Sequence, residues 1–230
     1  MTVQLPLSFK SSADQRFVDY LGNEPARASL EQAADGSLEH NIFLAGAQGS
    51  GKTHLLRAAV SHVLALGRSA AYMPLARMAP MLPDMLEGFE QHDLICLDDV
   101  QAIAGLAEAE EALFHFFNRA KETGARLVFS AKGMPAALSI QLPDLVSRLE
   151  QSVRFSLDVL DEHGKRQVLL RRAKQRGLEL DDAAMDYLFT RVSRDLHALS
   201  QVLDRLDHAS LAAQRRLTVP FIKTVLNPVA

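Results

Sequence analysis

The residues Gly46-Ala47-Gln48-Gly49-Ser50-Gly51-Lys52-Thr53 have the spacing G-x-x-x-x-G-K-T, the pattern of a loop that holds phosphate. Each residue type has a physical task there. The glycines let the backbone curl so that successive N–H groups converge on one anion. Ser50 lies within that curl. Lys52 can reach the outer phosphates of a nucleotide, and the Thr53 hydroxyl can ligate a magnesium ion. The motif works only between a strand and a helix, and the flanks fit. Asn41-Ile42-Phe43-Leu44-Ala45 reads as a buried strand, and His54-Leu55-Leu56-Arg57-Ala58-Ala59-Val60 reads as a helix whose N-terminus adds partial positive charge.

The matching half of such a site is expected at Leu94-Ile95-Cys96-Leu97-Asp98-Asp99. An apolar run suits a central parallel strand, and ligands bind beyond the C-terminal ends of such strands. Asp98 is the candidate magnesium partner, directly or through water. Asp99 is the candidate that orients or activates an attacking water. Alone, this segment would read as a strand ending in a solvated acidic turn. The loop at Gly46–Thr53 makes the functional reading the stronger one.

Around these motifs the chain reads as a series of alternating elements. Further strands are expected at 69–74, 126–130 and 153–157, and helices at 26–34 and 107–121. Gly124 should end the second of these helices. Pro74, Pro80 and Pro83 allow only short helical pieces between them. Such alternation predicts a parallel, doubly wound sheet. Beyond Asp158 strand signals fade, and helices are expected over 161–177, 181–193 and 195–215, with a short fourth capped by Thr218. The expected organisation is an extended segment at 1–12, an α/β nucleotide-binding domain at 13–158 and a small all-α domain at 159–230.

The chain has 230 residues, 48% hydrophobic and 23% charged, which is ordinary for one or two globular domains. A net charge of −3 supplies no global field toward nucleic acid. The single cysteine, Cys96, cannot form an intramolecular disulfide and suits a reducing cytoplasm. No segment approaches the ~20 apolar residues of a membrane span, and no signal peptide is visible. Two arginines stand out by position. Arg148 precedes the last strand, and Arg194 opens the third C-terminal helix; each could grip phosphate with a planar fork. A surface ion pair is the plainer reading of either alone. Lys165, Arg166, Arg171, Arg172, Lys174 and Arg176 share one helix, as a solvated face or a weak contact for DNA phosphates.

The motifs resemble those of the AAA+ ATPases, and within them the bacterial initiator DnaA and its Hda-type relatives. Gly51-Lys52-Thr53-His54-Leu55-Leu56 is similar to the initiator's GKTHLL, and Asp98-Asp99-Val100-Gln101 to its DDIQ. Glu110-Glu111-Ala112-Leu113-Phe114-His115-Phe116-Phe117-Asn118 follows the same helix pattern. Gln4-Leu5-Pro6-Leu7-Ser8-Phe9 matches Q-L-x-L-x-F, the peptide by which many bacterial proteins dock into the replicative sliding clamp. Leu142-Pro143-Asp144-Leu145 and the segment 215–223 also resemble the Hda type. The initiator's origin-reading helix-turn-helix has no counterpart here.

The resemblance implies an AAA+ parallel-sheet domain followed by an α-helical lid. It implies ADP or ATP with Mg2+, held by Gly46, Gly49, Ser50, Gly51, Lys52, Thr53, His54 and Arg194, with Thr53 and Asp98 at the metal. It implies clamp docking (the beta subunit) through Gln4, Leu5, Leu7 and Phe9. Side-by-side contact with DnaA would then present Arg148 to DnaA-bound ATP, giving the inactive ADP form. DNA would be met mainly through the clamp, and a homo-oligomer is compatible with this geometry. Ala131 stands where the initiator has an acidic sensor residue, so hydrolysis by the chain itself is expected to be weak. Two alternatives share parts of this pattern: a DnaC-like helicase loader, which would not need Gln4–Phe9, and a clamp and DnaA adaptor that does not stimulate hydrolysis.

Overall fold

The computed structural model describes residues 15–193, 195–213 and 217–226. Two compact units form, one of residues 15–20, 25–45 and 52–155, the other of 21–24, 46–51 and 156–226.

The first unit is built on a five-stranded sheet. A helix α1 (Glu24–Asp35) precedes β1 (Ile42–Gly46), and α2 (Lys52–Ala65) follows it. Then come β2 (Ala70–Pro74), the short helices α3 (Leu75–Met78) and α4 (Leu82–Met85), and β3 (Leu94–Asp98). The unit continues with α5 (Ala107–Thr123), β4 (Arg126–Ala131), α6 (Pro143–Glu150) and β5 (Val153–Leu157). Strand order is β2-β3-β4-β1-β5. β3 pairs in parallel with β2 on one side and β4 on the other, and β1 pairs in parallel with β4. Every residue of β3 is buried, as a strand flanked on both edges and covered on both faces must be. The Cys96 thiol is fully buried there, and desolvation pushes its pKa up, so it packs as a small apolar group.

The core follows from the periodicity of α5. Ala109, Leu113, Phe116, Phe117 and Ala120 are all buried, and the Phe117 ring stacks on Phe129 of β4 at 6.1 Å between centroids. Gly124 ends α5 in the left-handed region, at φ 78°. The Ala125 N–H then donates to the Ala120 carbonyl at 2.9 Å, closing a Schellman turn that only a residue without Cβ adopts cheaply. α6 is a helix that composition did not announce. It is two turns long and starts on Pro143, whose missing N–H costs nothing at a first helical position. Leu145 and Leu149, four apart, bury its inner face.

The second unit carries α7 (Glu162–Gln175), α8 (Asp182–Arg191), α9 (Leu196–Ala213) and α10 (Val219–Leu226). Three aspartates start three of them. Asp161 accepts from Gly164 N at 2.7 Å, Asp181 from Ala184 N at 2.7 Å, and Asp195 from Ala198 N at 3.0 Å. Leu169, Leu188, Leu199, Leu203, Leu206 and Ile222 lie at the centre of its core. Arg166 holds α7 to α8, pairing with Asp186 at 2.7 Å and covering the Phe189 ring at 4.7 Å. Arg176 reaches Asp204 of α9 at 2.6 Å, and Arg172 donates to Ser200. Half of the basic set on α7, Arg166, Arg172 and Arg176, is therefore used inside this unit. No helix of the described residues is long and apolar enough to cross a membrane.

Candidate nucleotide site

Thr53 and Asp98 are 45 residues apart in sequence, and the fold puts them in hydrogen-bond contact. β3 ends on Asp98, α2 begins on Lys52, and α2 packs across β3. Thr53 Oγ1 donates to Asp98 Oδ2 at 2.7 Å. The strands beside β3 supply two further donors. The Tyr72 hydroxyl of β2 donates to the same oxygen at 2.6 Å, and the Ser130 hydroxyl of β4 donates to Oδ1. Asp98 is only 3% exposed, so a carboxylate there needs such donors to offset the loss of water. Tyr72 is held in turn. Its ring lies under the Arg57 guanidinium at 4.9 Å, and burial next to Asp98 pushes its pKa well up, so the hydroxyl stays a donor.

Lys52 is 8% exposed. Burial lowers its pKa, Asp99 and Asp98 pull it back up, and Lys132 lowers it. Its ammonium is thus partly withdrawn from water, with two carboxylates acting on it, where an arriving phosphate would find a cation already partly desolvated.

Asp99 follows Asp98 in the left-handed region, at φ 63° and ψ 52°. That turn directs the two adjacent carboxylates to different partners. The backbone N–H of Asp99 donates to Ser130 Oγ at 3.1 Å, so Ser130 contacts both acids. Gln101 Nε2 donates to Asp99 Oδ1 at 2.8 Å, while Gln101 Oε1 accepts from Lys132 N at 3.1 Å. The Gln101 amide therefore bridges the acidic turn to the end of β4. Sequence reasoning assigned no role to Tyr72, Ser130 or Gln101. Their roles arise from strand order, and the only local signal was Gln101 in the D-D-x-Q run.

The loop has its own geometry. Gly49 and Gly51 both have positive φ, at 84° and 90°, and Ser50 N closes a turn onto the Ala47 carbonyl at 3.2 Å. Gly46 is required for a different reason. A Cβ there would lie 2.6 Å from Ser50 Oγ and 2.8 Å from the Leu157 carbonyl oxygen.

A hydroxyl and a carboxylate at hydrogen-bond distance suit a hard cation that retains water and takes phosphate oxygens as further ligands. Thr53 and Asp98 would hold Mg2+ in this way. Among the described residues no cluster of three or more His, Cys, Asp or Glu could hold a metal by itself, so a ligand oxygen would have to complete the shell.

The remaining candidates are placed as follows. The His54 ring contacts the Arg16 carbonyl at 3.0 Å and the Tyr20 ring at 5.5 Å. Arg148 lies half-buried in the last turn of α6, and its guanidinium makes no hydrogen bond or ion pair to the described residues. In particular, none joins it to Lys52, Thr53, Asp98 or Asp99. Arg194 and the segment holding Gln4, Leu5, Leu7 and Phe9 lie outside the described residues.

Comparison with known proteins agrees with this architecture. The family model of the bacterial DnaA ATPase domain matches residues 10–156, and that of the Hda lid domain matches residues 161–226. An uncharacterized protein of Haemophilus influenzae is 41% identical over 230 residues, which is 99% of this chain and 100% of that protein. Domain III of the Thermotoga maritima replication initiation protein DnaA superposes with a TM-score of 0.78 at 23% identity, covering 93% of this chain and 96% of that one. AMPPCP-bound DnaA from Aquifex aeolicus gives a TM-score of 0.71 at 24% identity, over 85% of this chain and 65% of that one. Thermotoga maritima RuvB, at 17% identity, gives a TM-score of 0.66 over 92% and 71% of the two chains. With a DnaA ATPase domain that carries the loop and both acids, followed by an Hda lid, the chain belongs to the bacterial DnaA family of AAA+ proteins, in its Hda-type branch.

Proposed function

We propose that this chain is a negative regulator of chromosome replication that acts on DnaA. Docked by Gln4, Leu5, Leu7 and Phe9 on a DNA-loaded sliding clamp, it presents Arg148 to ATP held by DnaA and promotes hydrolysis to the ADP form. The observation that carries this reading is a division of labour within the first unit. The acids of the chain's own site are tied up by Thr53, Tyr72, Ser130 and Gln101, whereas Arg148 has no partner among the described residues. An arginine so placed is available to a neighbouring molecule. The test is turnover of ATP preloaded on DnaA, with the clamp free or loaded on DNA. Stimulation by the chain only with the loaded clamp supports the reading. Binding to both partners without stimulation would make the chain an adaptor instead.

In this reading the chain's own nucleotide, ADP or ATP with Mg2+, is bound by Gly46–Thr53 and Asp98, with Arg194 as a further candidate contact. Lys52→Ala removes a charge-assisted phosphate contact of about 1.5–3 kcal/mol, so nucleotide affinity should fall about 10- to 100-fold by calorimetry. A pH series adds a second check. Phosphate favours the ammonium form, while burial has lowered the Lys52 pKa. Affinity should therefore decline as pH rises through that lowered pKa, and Lys52→Ala should lose this decline. Equal affinity in the two proteins would remove Lys52 from the site.

A further inference from the structure

Glu110 is a carboxylate in the first turn of α5, 1% exposed, with no described cation pairing to it. Its partners are backbone N–H groups. Oε1 accepts from Gly105 N at 2.7 Å and Gln141 N at 3.1 Å, while Oε2 accepts from Gln141 N at 2.9 Å and Leu142 N at 2.8 Å. Gly105 belongs to the turn between the acidic segment and α5. Gln141 and Leu142 are the last two residues before α6, the helix whose final turn carries Arg148.

We propose that Glu110 is the positioning residue of Arg148. α6 spans eight residues, too few to be stable alone, so its place is set by what it touches. Leu145 and Leu149 supply apolar contact, which attracts the helix to the core without fixing its rotation or register. Its N-cap residue is Leu142, which has no side-chain oxygen, and its first residue is Pro143, which has no N–H. Glu110 supplies the missing directional contact from outside, gripping the two amides at the helix start. A displacement there is carried along a short rigid helix to Arg148. Charge-assisted hydrogen bonds in a buried site are strong and direction-dependent, so this grip selects one position of α6.

The inference rests on the reading of Arg148 given above, and the experiment separates the two. Full-length wild type, Glu110→Gln, Glu110→Asp and Arg148→Ala are compared in turnover of DnaA-bound ATP with the DNA-loaded clamp. Glutamine turns an N–H2 group toward N–H donors. Aspartate keeps the charge but withdraws it by one methylene, and it decides the matter should the glutamine variant not fold. For Glu110→Gln, the rate at saturating chain should fall about 100-fold, as expected for a reacting group displaced by about 1 Å. Glu110→Asp should fall between it and wild type. The half-saturating concentration should stay within about threefold, because the docking surfaces are untouched, and amide exchange at Gln141 and Leu142 should speed up. An unchanged saturating rate in a folded Glu110 variant, with Arg148→Ala impaired, would overturn the proposal alone. So would a raised half-saturating concentration with the rate intact. If Arg148→Ala itself works normally, the reading of Arg148 fails as well.

Discussion

Arg148→Ala should lower the stimulated turnover of DnaA-bound ATP by about 10³–10⁵-fold, the range an arginine finger contributes in phosphoryl transfer. This corresponds to about 4–7 kcal/mol of transition-state stabilisation. The γ-phosphoryl group spreads charge over its outer oxygens as it leaves, and a planar guanidinium can meet two of them at once. Arg148→Lys should fail nearly as badly, because an ammonium keeps the charge but loses the fork. Neither change should unfold the protein. Arg148 makes no hydrogen bond or ion pair to the described residues, and the apolar face of α6 rests on Leu145 and Leu149. Thermal unfolding, clamp binding and nucleotide binding by the variants should therefore match wild type. If Arg148→Ala stimulates DnaA fully, Arg148 is a surface group and the trans mechanism must rest elsewhere.

The groups that the sequence revealed are those whose meaning is set by near neighbours in the chain. Gly46 to Thr53 is legible because one turn and the helix after it do all the positioning. The starts of the helices expected from 161, 181 and 195 are legible within one turn of chain, and the structure adds that Asp161, Asp181 and Asp195 each accept from an amide three residues on. Gly124 is legible because a helix end needs a left-handed residue at a fixed place.

Groups defined by strand order were not legible. Tyr72, Asp98 and Ser130 share a hydrogen-bond set because β2 and β4 flank β3, with Tyr72 paired in register to Cys96 and Phe129 to Leu97. No spacing within the chain encodes that meeting. The left-handed backbone at Asp99 was equally hidden, since aspartate visits that region only occasionally and nothing in the D-D run marks which position does. α6 escaped notice because Pro143 reads as a breaker unless it is known to stand at a first helical position. Glu110 sits in a helix of ordinary acidic character. The amides it accepts from, those of Gln141 and Leu142, lie more than 30 residues away in the chain.

Alanine at Gln4, Leu7 and Phe9 together should weaken clamp binding by about two to four orders of magnitude. In an extended peptide alternate residues face the same way, so in the proposed docking Leu5, Leu7 and Phe9 would offer one apolar edge to a groove. Seating a leucine or phenylalanine side chain in an apolar pocket is worth about 1.5–3 kcal/mol each. Truncating Leu7 and Phe9 therefore removes about 3–6 kcal/mol, and Gln4 adds the hydrogen bonds of its amide. Binding to immobilised clamp gives the affinity, and thermal unfolding of the same variant gives the control. Stimulation of DnaA hydrolysis should fall with clamp affinity and recover if the variant is tethered to the clamp by fusion, because Arg148 is intact. Lys52→Ala should leave clamp binding unchanged. Retained clamp binding together with a large loss of stability would show instead that this segment packs into the fold. In that case the clamp contact would have to be sought on another surface of the chain.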